Sequence, residues 1–148
     1  MARFRYAYQK IVDLKTSEKS QAEWQLSVVV GELQTEEQSL LKLHQDRAEW
    51  SDRLQLSSNQ AVTLSELMVI QEYIEYLDIC IKQKMMDIQK AEAAVEVKRI
   101  ALSERMKDEK VWQKSKDNAR QRFQADMLLI EQNELDEMAS VRFMYAAH

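Results

Sequence analysis

No proline occurs in this 148-residue chain, and Gly31 is its single glycine. A compact domain of this length turns many times, and its turns recruit Gly and Pro. A chain almost free of both, with 31% charged residues, has few ways to fold other than as very long helices. Function is therefore expected at surfaces that hold partners, not in a pocket that performs chemistry.

Composition narrows the classes further. The formal charge is −4, from 21 basic and 25 acidic residues, which argues against non-specific nucleic-acid binding. The lone Cys80 has no internal disulfide partner and suits a reducing cytoplasm. Apolar runs such as Val28-Val29-Val30 are far shorter than the roughly 20 residues of a membrane span. The expectation is a protein without direct membrane insertion, able to dock on a membrane-bound machine.

The first arm has apolar residues at coiled-coil spacing. Phe4, Ala7, Ile11 and Leu14 open the stripe, and it weakens at Glu18 and Gln21. It resumes through Ala22, Leu26, Val29, Leu33, Leu40, Leu43, Trp50 and Leu54. The change of phase reads as a stutter. Ser57-Ser58-Asn59-Gln60-Ala61-Val62 is the one clear break, and Thr63-Leu64-Ser65-Glu66 fits a capping box that starts a second helix at Leu64.

The second arm holds the cleaner heptad. Leu67, Ile74, Ile81, Ile88, Val95 and Leu102 recur every seven residues, with Ile70, Leu77 and Ala91 at the complementary positions and Lys84 and Lys98 interrupting them. Two helices joined by so short a loop are antiparallel neighbours. The expected fold is all-α: a single long antiparallel two-helix coiled-coil hairpin over residues 1–148, with arm one at about 3–56, the loop at about 57–63 and arm two at about 64–144. Pairing Leu54 with Leu67 sets the register, so the first arm runs out near Lys116. The longer second helix then overhangs by roughly 30 residues, about 45 Å of helix. Lower in the hairpin, Glu18, Gln21 and Gln25 should face Lys98 and Arg105, a polar seam that fixes register at a cost in stability.

Nothing in the chain points to an enzyme, a cofactor or a metal. His44 and His148 lie far apart with no ligand-spaced neighbours, there is no Gly-rich phosphate loop, and a two-helix hairpin offers no concave site. Charge is more informative. Residues 1–19 hold five bases against Asp13 and Glu18, and residues 98–122 hold nine bases against four acids. The antiparallel register brings both segments to the open end, which is cationic although the whole chain is acidic. Arg3, Arg5, Lys110 and Lys114 there are candidates for docking on an acidic partner, against the plainer reading of solubilising charge.

A second segment, Ile70 through Ile81, is too apolar for a helix with one buried seam. With Ile70, Ile74, Leu77 and Ile81 in the seam, Tyr73, Tyr76, Ile79 and Cys80 remain outside it or at its edge. Tyr73, Leu77, Cys80 and Lys84 align on one flank. Aromatics beside a coiled-coil core mark a protein-binding surface or packing on a third helix or a second copy.

The chain resembles the FliJ family, the small coiled-coil component of the bacterial flagellar export apparatus, and its Gram-positive members most. The resemblance rests on Phe4-Arg5-Tyr6 through Ile11-Val12-Asp13-Leu14-Lys15 and Glu18-Lys19, on Gln71-Glu72-Tyr73-Ile74-Glu75-Tyr76-Leu77-Asp78, and on the closing segment through Met144. It implies a hairpin similar to the central stalk of rotary ATP synthases. It implies three partners: the flagellar export ATPase hexamer, whose pore receives the helical ends; the cytoplasmic part of the export-gate membrane protein; and export chaperones, whose cycling it assists. The family's gate-binding stripe falls on Tyr73, Leu77, Cys80 and Lys84. The expectation is a non-enzymatic stalk and adaptor, cytoplasmic and peripheral at the inner-membrane flagellar base. The alternatives are the equivalent stalk of a virulence type III secretion system and a purely structural homo-oligomeric coiled coil.

Overall fold

The computed structural model describes residues 2–147. Two α-helices account for nearly all of them: α1, Gln9–Ser58, and α2, Leu64–Ala146. They pack against each other with α2 the longer, at 83 residues against 50, and the described residues contain no strand. α1 closes in a tightened turn, where Asn59 and Gln60 N–H groups donate to the Leu56 and Ser57 carbonyls at 3.3 and 3.2 Å. Thr63 caps α2 as its sequence position requires: its Oγ1 accepts from the Glu66 N–H at 3.3 Å. α2 therefore begins at Leu64, as the capping box predicts.

The chain divides into two units, each containing a stretch of both helices. Residues 21–103 form one. Its core is the predicted heptad: Ile74, Leu77, Ile81 and Val95 are buried, and Leu67, Ile70, Ile88, Ala91 and Leu102 are half-buried. From α1, Ala22 is buried and Leu26, Val29, Leu33, Leu40, Leu43, Trp50 and Leu54 are half-buried. Each full burial of such an aliphatic contributes about 1.5–3 kcal/mol, and partial burial proportionately less. Gly31 sits within α1 with open space around its Cα.

Residues 1–20 and 104–148 make up the other unit. Two expectations change here. The first concerns phase: Val12, at 1% exposure, is the core residue, whereas Leu14 is 54% exposed and Ala7 is also exposed. The second concerns the start of the arm. Residues 2–8 are not helical, so α1 begins at Gln9, later than the apolar stripe suggests. Extended chain advances about 3.3 Å per residue against 1.5 Å in a helix. The N-terminal segment consequently passes Lys116 and reaches Phe123, whose ring lies 5.6 Å from that of Phe4. Ala2 reaches a groove formed with Met127, Leu128 and Glu131. The free end of α2 is correspondingly shorter than the expected overhang: residues 132–147 lie beyond that groove and are exposed at every position.

Candidate interaction surfaces

The basic end is built by one hydrogen bond and three ring contacts. Tyr6 Oη and Ser115 Oγ share a hydrogen bond of 2.7 Å. The Tyr8 ring lies 6.1 Å from Trp112 and 5.7 Å from Tyr6, and Phe4 meets Phe123. These contacts hold residues 2–8 along α2 without a helix, and they carry Arg3 and Arg5 with them. A shallow groove there is lined by Tyr6, Tyr8, Val111, Lys114, Asn118 and Arg122.

Within this unit the cations fall into two groups. Lys15 pairs with Glu18 and Asp108, Lys19 with Glu109 at 3.0 Å, Arg105 with Glu18 at 3.1 Å, and Arg120 with Asp117 at 2.9 Å. Of the polar seam read from the sequence, the Glu18–Arg105 contact is the part that forms an ion pair. Glu109 is half-buried, and its second oxygen is enclosed without a hydrogen-bond partner. Arg3, Arg5, Lys110 and Lys114 are all exposed, and none joins an ion pair among the described residues. Pairing across the two helices occupies Lys15, Lys19 and Arg105 and leaves Arg3, Arg5, Lys110 and Lys114 facing solvent.

The post-loop flank, in the unit of residues 21–103, is less uniform than its spacing implies. Leu77 is 2% exposed and belongs to the core. Tyr73 is 39% exposed and not free: its ring lies 4.7 Å from Trp50 and 6.0 Å from Tyr76. Arg53 lies over the Trp50 ring, its guanidinium carbon 4.7 Å from the ring centroid. Cys80 is half-buried beneath Tyr76. A hydrogen bond with Cys80 is the main reason the Tyr76 phenol is held above its ordinary pKa; the Cys80 charge, desolvation and Tyr73 push the same way.

Lys84 reaches across to α1, with Nζ 2.9 Å from Glu36 Oε2. Its ammonium is held above the ordinary lysine value, first by the Glu36 hydrogen bond and also by the Glu36 and Asp87 charges, against some desolvation. Arg47 and Asp78 form a second cross-helix ion pair, in which the guanidinium is also stabilised, chiefly by the Asp78 hydrogen bond. Of the four stripe residues, Tyr73 and Cys80 thus retain access to solvent, Leu77 is covered, and Lys84 is engaged with Glu36. Trp50 was legible only as a seam residue; its role as the support of Tyr73 follows from the register.

The described residues contain no cluster of three His, Cys, Asp or Glu side chains able to hold a metal ion, and His148 lies outside them. No helix among them is long and apolar enough to cross a membrane.

Two long helices packed in antiparallel fashion, with a charged seam, define a coiled-coil hairpin. The family model described as "Flagellar FliJ protein" matches residues 4–147, and the chain belongs to that family, a component of flagellar protein export. A search of curated proteins finds no match. Among solved structures the fold is similar to that of a Chlamydia trachomatis protein described as a homolog of YscO, with a TM-score of 0.55, 19% identity and 94% of each chain covered. At that identity the likeness speaks for the fold.

Proposed function

We infer that the protein is a non-enzymatic stalk and adaptor of flagellar type III export, acting on the cytoplasmic side of the membrane at the flagellar base. The basic end engages an acidic surface of the export ATPase hexamer, and the Tyr73 flank engages the cytoplasmic part of the export-gate protein. The two contacts lie on different units of the chain, so one molecule can hold both partners and assist the cycling of export chaperones between them. The observation that carries the reading is the sorting of charge: Arg3, Arg5, Lys110 and Lys114 face solvent while neighbouring cations are occupied in the seam. Cations not offset by neighbouring acids steer and hold an acidic partner more strongly than paired ones.

For the gate contact, Tyr73 is the anchor, with Trp50 behind it and Tyr76 beside it. Leu77 acts from the core by fixing the helix that carries Tyr73. Lys84 contributes by holding α1 and α2 in register through Glu36.

The test is the rate of ATP hydrolysis by the purified export ATPase with increasing amounts of this protein at sub-hexamer ratios. Stimulation that weakens with added salt supports the reading, because exposed charges are screened within about 8–10 Å at physiological ionic strength. No stimulation at low salt refutes it. The fold likeness to a YscO homolog keeps the virulence-secretion stalk as a second reading. Loss of flagella on deletion, with secretion of virulence substrates intact, decides for the first.

A further inference from the structure

Beyond the groove that Ala2 forms with Met127, Leu128 and Glu131, the described remainder of α2 is covered by no other described segment. Residues 132–147 are exposed throughout, and large apolar side chains are frequent among them. Leu128, Leu135, Met138 and Tyr145 are all exposed, Tyr145 at 80%. Together with Glu131 and Arg142 they recur at alternating intervals of three and four, which places all six on one heptad face.

This stripe is its own complement when reversed. Laid antiparallel on a second copy about a twofold axis between positions 136 and 137, Leu128 meets Tyr145, Leu135 meets Met138, and Glu131 meets Arg142. Each contact occurs twice, as a twofold interface requires. Each also joins an a-type to a d-type position, the pairing that antiparallel coiled coils use. Four apolar contacts flank the axis, and an opposite-charge pair lies between the apolar layers on either side. The adjacent stripe of Met127, Ile130, Glu134, Glu137, Val141 and Met144 behaves differently. Reversed about its own centre, it sets Glu134 against Glu137 twice and gathers four carboxylates at the axis. Charge therefore selects the first face and rejects the second.

We propose that the exposed end of α2 is a self-association site, in which two copies of this chain pair antiparallel through Leu128, Glu131, Leu135, Met138, Arg142 and Tyr145. The occupant is a second copy because the stripe offers the chemistry that it needs: its one acid is opposed by its one base. The proposal does not depend on the ATPase reading, and it leaves Arg3, Arg5, Lys110 and Lys114 untouched.

Sedimentation equilibrium of the full chain tests it, from low micromolar concentration to about 0.5 mM, where even a weak pair assembles. The expected result is a monomer–dimer equilibrium. Leu135→Glu abolishes it. Glu131→Arg and Arg142→Glu each weaken it at least about tenfold, because the axis repeats every change. The double variant Glu131→Arg with Arg142→Glu restores it, since each introduced arginine again meets an acid across the axis. Circular dichroism should show unchanged helicity in all of them, as the stripe is exposed in the isolated chain. A wild-type chain that stays monomeric throughout overturns the proposal and assigns the face to a different partner. Dimers indifferent to Leu135→Glu, or single charge variants that the double variant does not rescue, overturn it equally.

Discussion

Trp50 of α1 and Tyr73 of α2 pack with their rings tilted and centroids 4.7 Å apart, so the aromatic proposed as the gate anchor also joins the two helices. From the sequence, Tyr73→Ala would cost little stability; the contact with Trp50 changes that expectation. An aromatic pair contributes about 0.5–1.5 kcal/mol beyond its buried area. A double-mutant cycle on Trp50→Ala and Tyr73→Ala, read by thermal unfolding, should return a coupling energy of that size. If the pair also forms the gate contact, Tyr73→Ala should lower gate affinity by about 2 kcal/mol, a loss larger than its coupling to Trp50. A loss of affinity that stability-restoring substitutions elsewhere fully recover would make Tyr73 a core residue only.

The phase of the first helix is checked by Val12 and Leu14. Val12 is 1% exposed and Leu14 54%. Val12→Asp buries an unpaired charge and should cost at least about 3 kcal/mol, while Leu14→Asp should stay within about 0.5 kcal/mol. Equal losses on denaturant unfolding would contradict the register.

Gly31 predicts a stabilising substitution. Nothing lies within 4 Å of the Cβ that an alanine would add, and the position is in the interior of α1. Gly31→Ala should raise stability by about 0.5–1 kcal/mol. Its carbonyl bond from Thr35 Oγ1, at 3.0 Å, involves only backbone that the change retains. An unchanged or lowered melting temperature would mean that the space is occupied.

The Lys84–Glu36 pair sets a pH dependence. The Lys84 ammonium is held above its ordinary value of 10.5, so the folded state retains that proton more strongly than the unfolded state does. Its contribution is present in full below 10.5 and is lost as pH rises through the folded value. Tyr76, raised above 10.0, adds a loss of the same sign in the same alkaline range. Stability should fall with rising alkalinity, and Lys84→Met and Tyr76→Phe should each flatten part of the fall. A profile identical in both variants would remove these groups as its cause.

Much of the architecture is legible in the residues, and the exceptions have one origin. The run Leu67, Ile74, Ile81, Ile88, Val95, Leu102 has a single consistent phase, so the seam of α2 follows from it directly. Thr63 and Glu66 mark the helix start because a capping side chain acts locally. The opening segment misleads because Phe4, Ala7, Ile11 and Leu14 are also spaced as a heptad. The competing signal is Phe4, Tyr6 and Tyr8 at every second residue, a period that suits extended chain. The contacts Tyr6–Ser115 and Phe4–Phe123 bear that period out. Of the candidate surfaces, the exposure of Lys110 and Lys114 could be anticipated from helix position, and that of Arg3 and Arg5 follows from their alternation with Phe4 and Tyr6 in the extended segment. Which cations the seam neutralises could not, because that depends on side chains more than 80 positions apart in sequence, as Lys19–Glu109 and Glu18–Arg105 are.

The most direct measurement for the export-adaptor account compares two charge-reversed variants in the ATPase assay. One reverses Arg3, Arg5, Lys110 and Lys114 to glutamate. The other reverses Lys42, Lys82 and Lys90, exposed cations of the other unit. Both should fold with wild-type helicity, since every altered side chain is exposed and outside the seam. The account predicts that the first loses ATPase stimulation by at least about tenfold while still binding the gate protein, and that the second stimulates as the wild type does. Equal stimulation by both variants would contradict it.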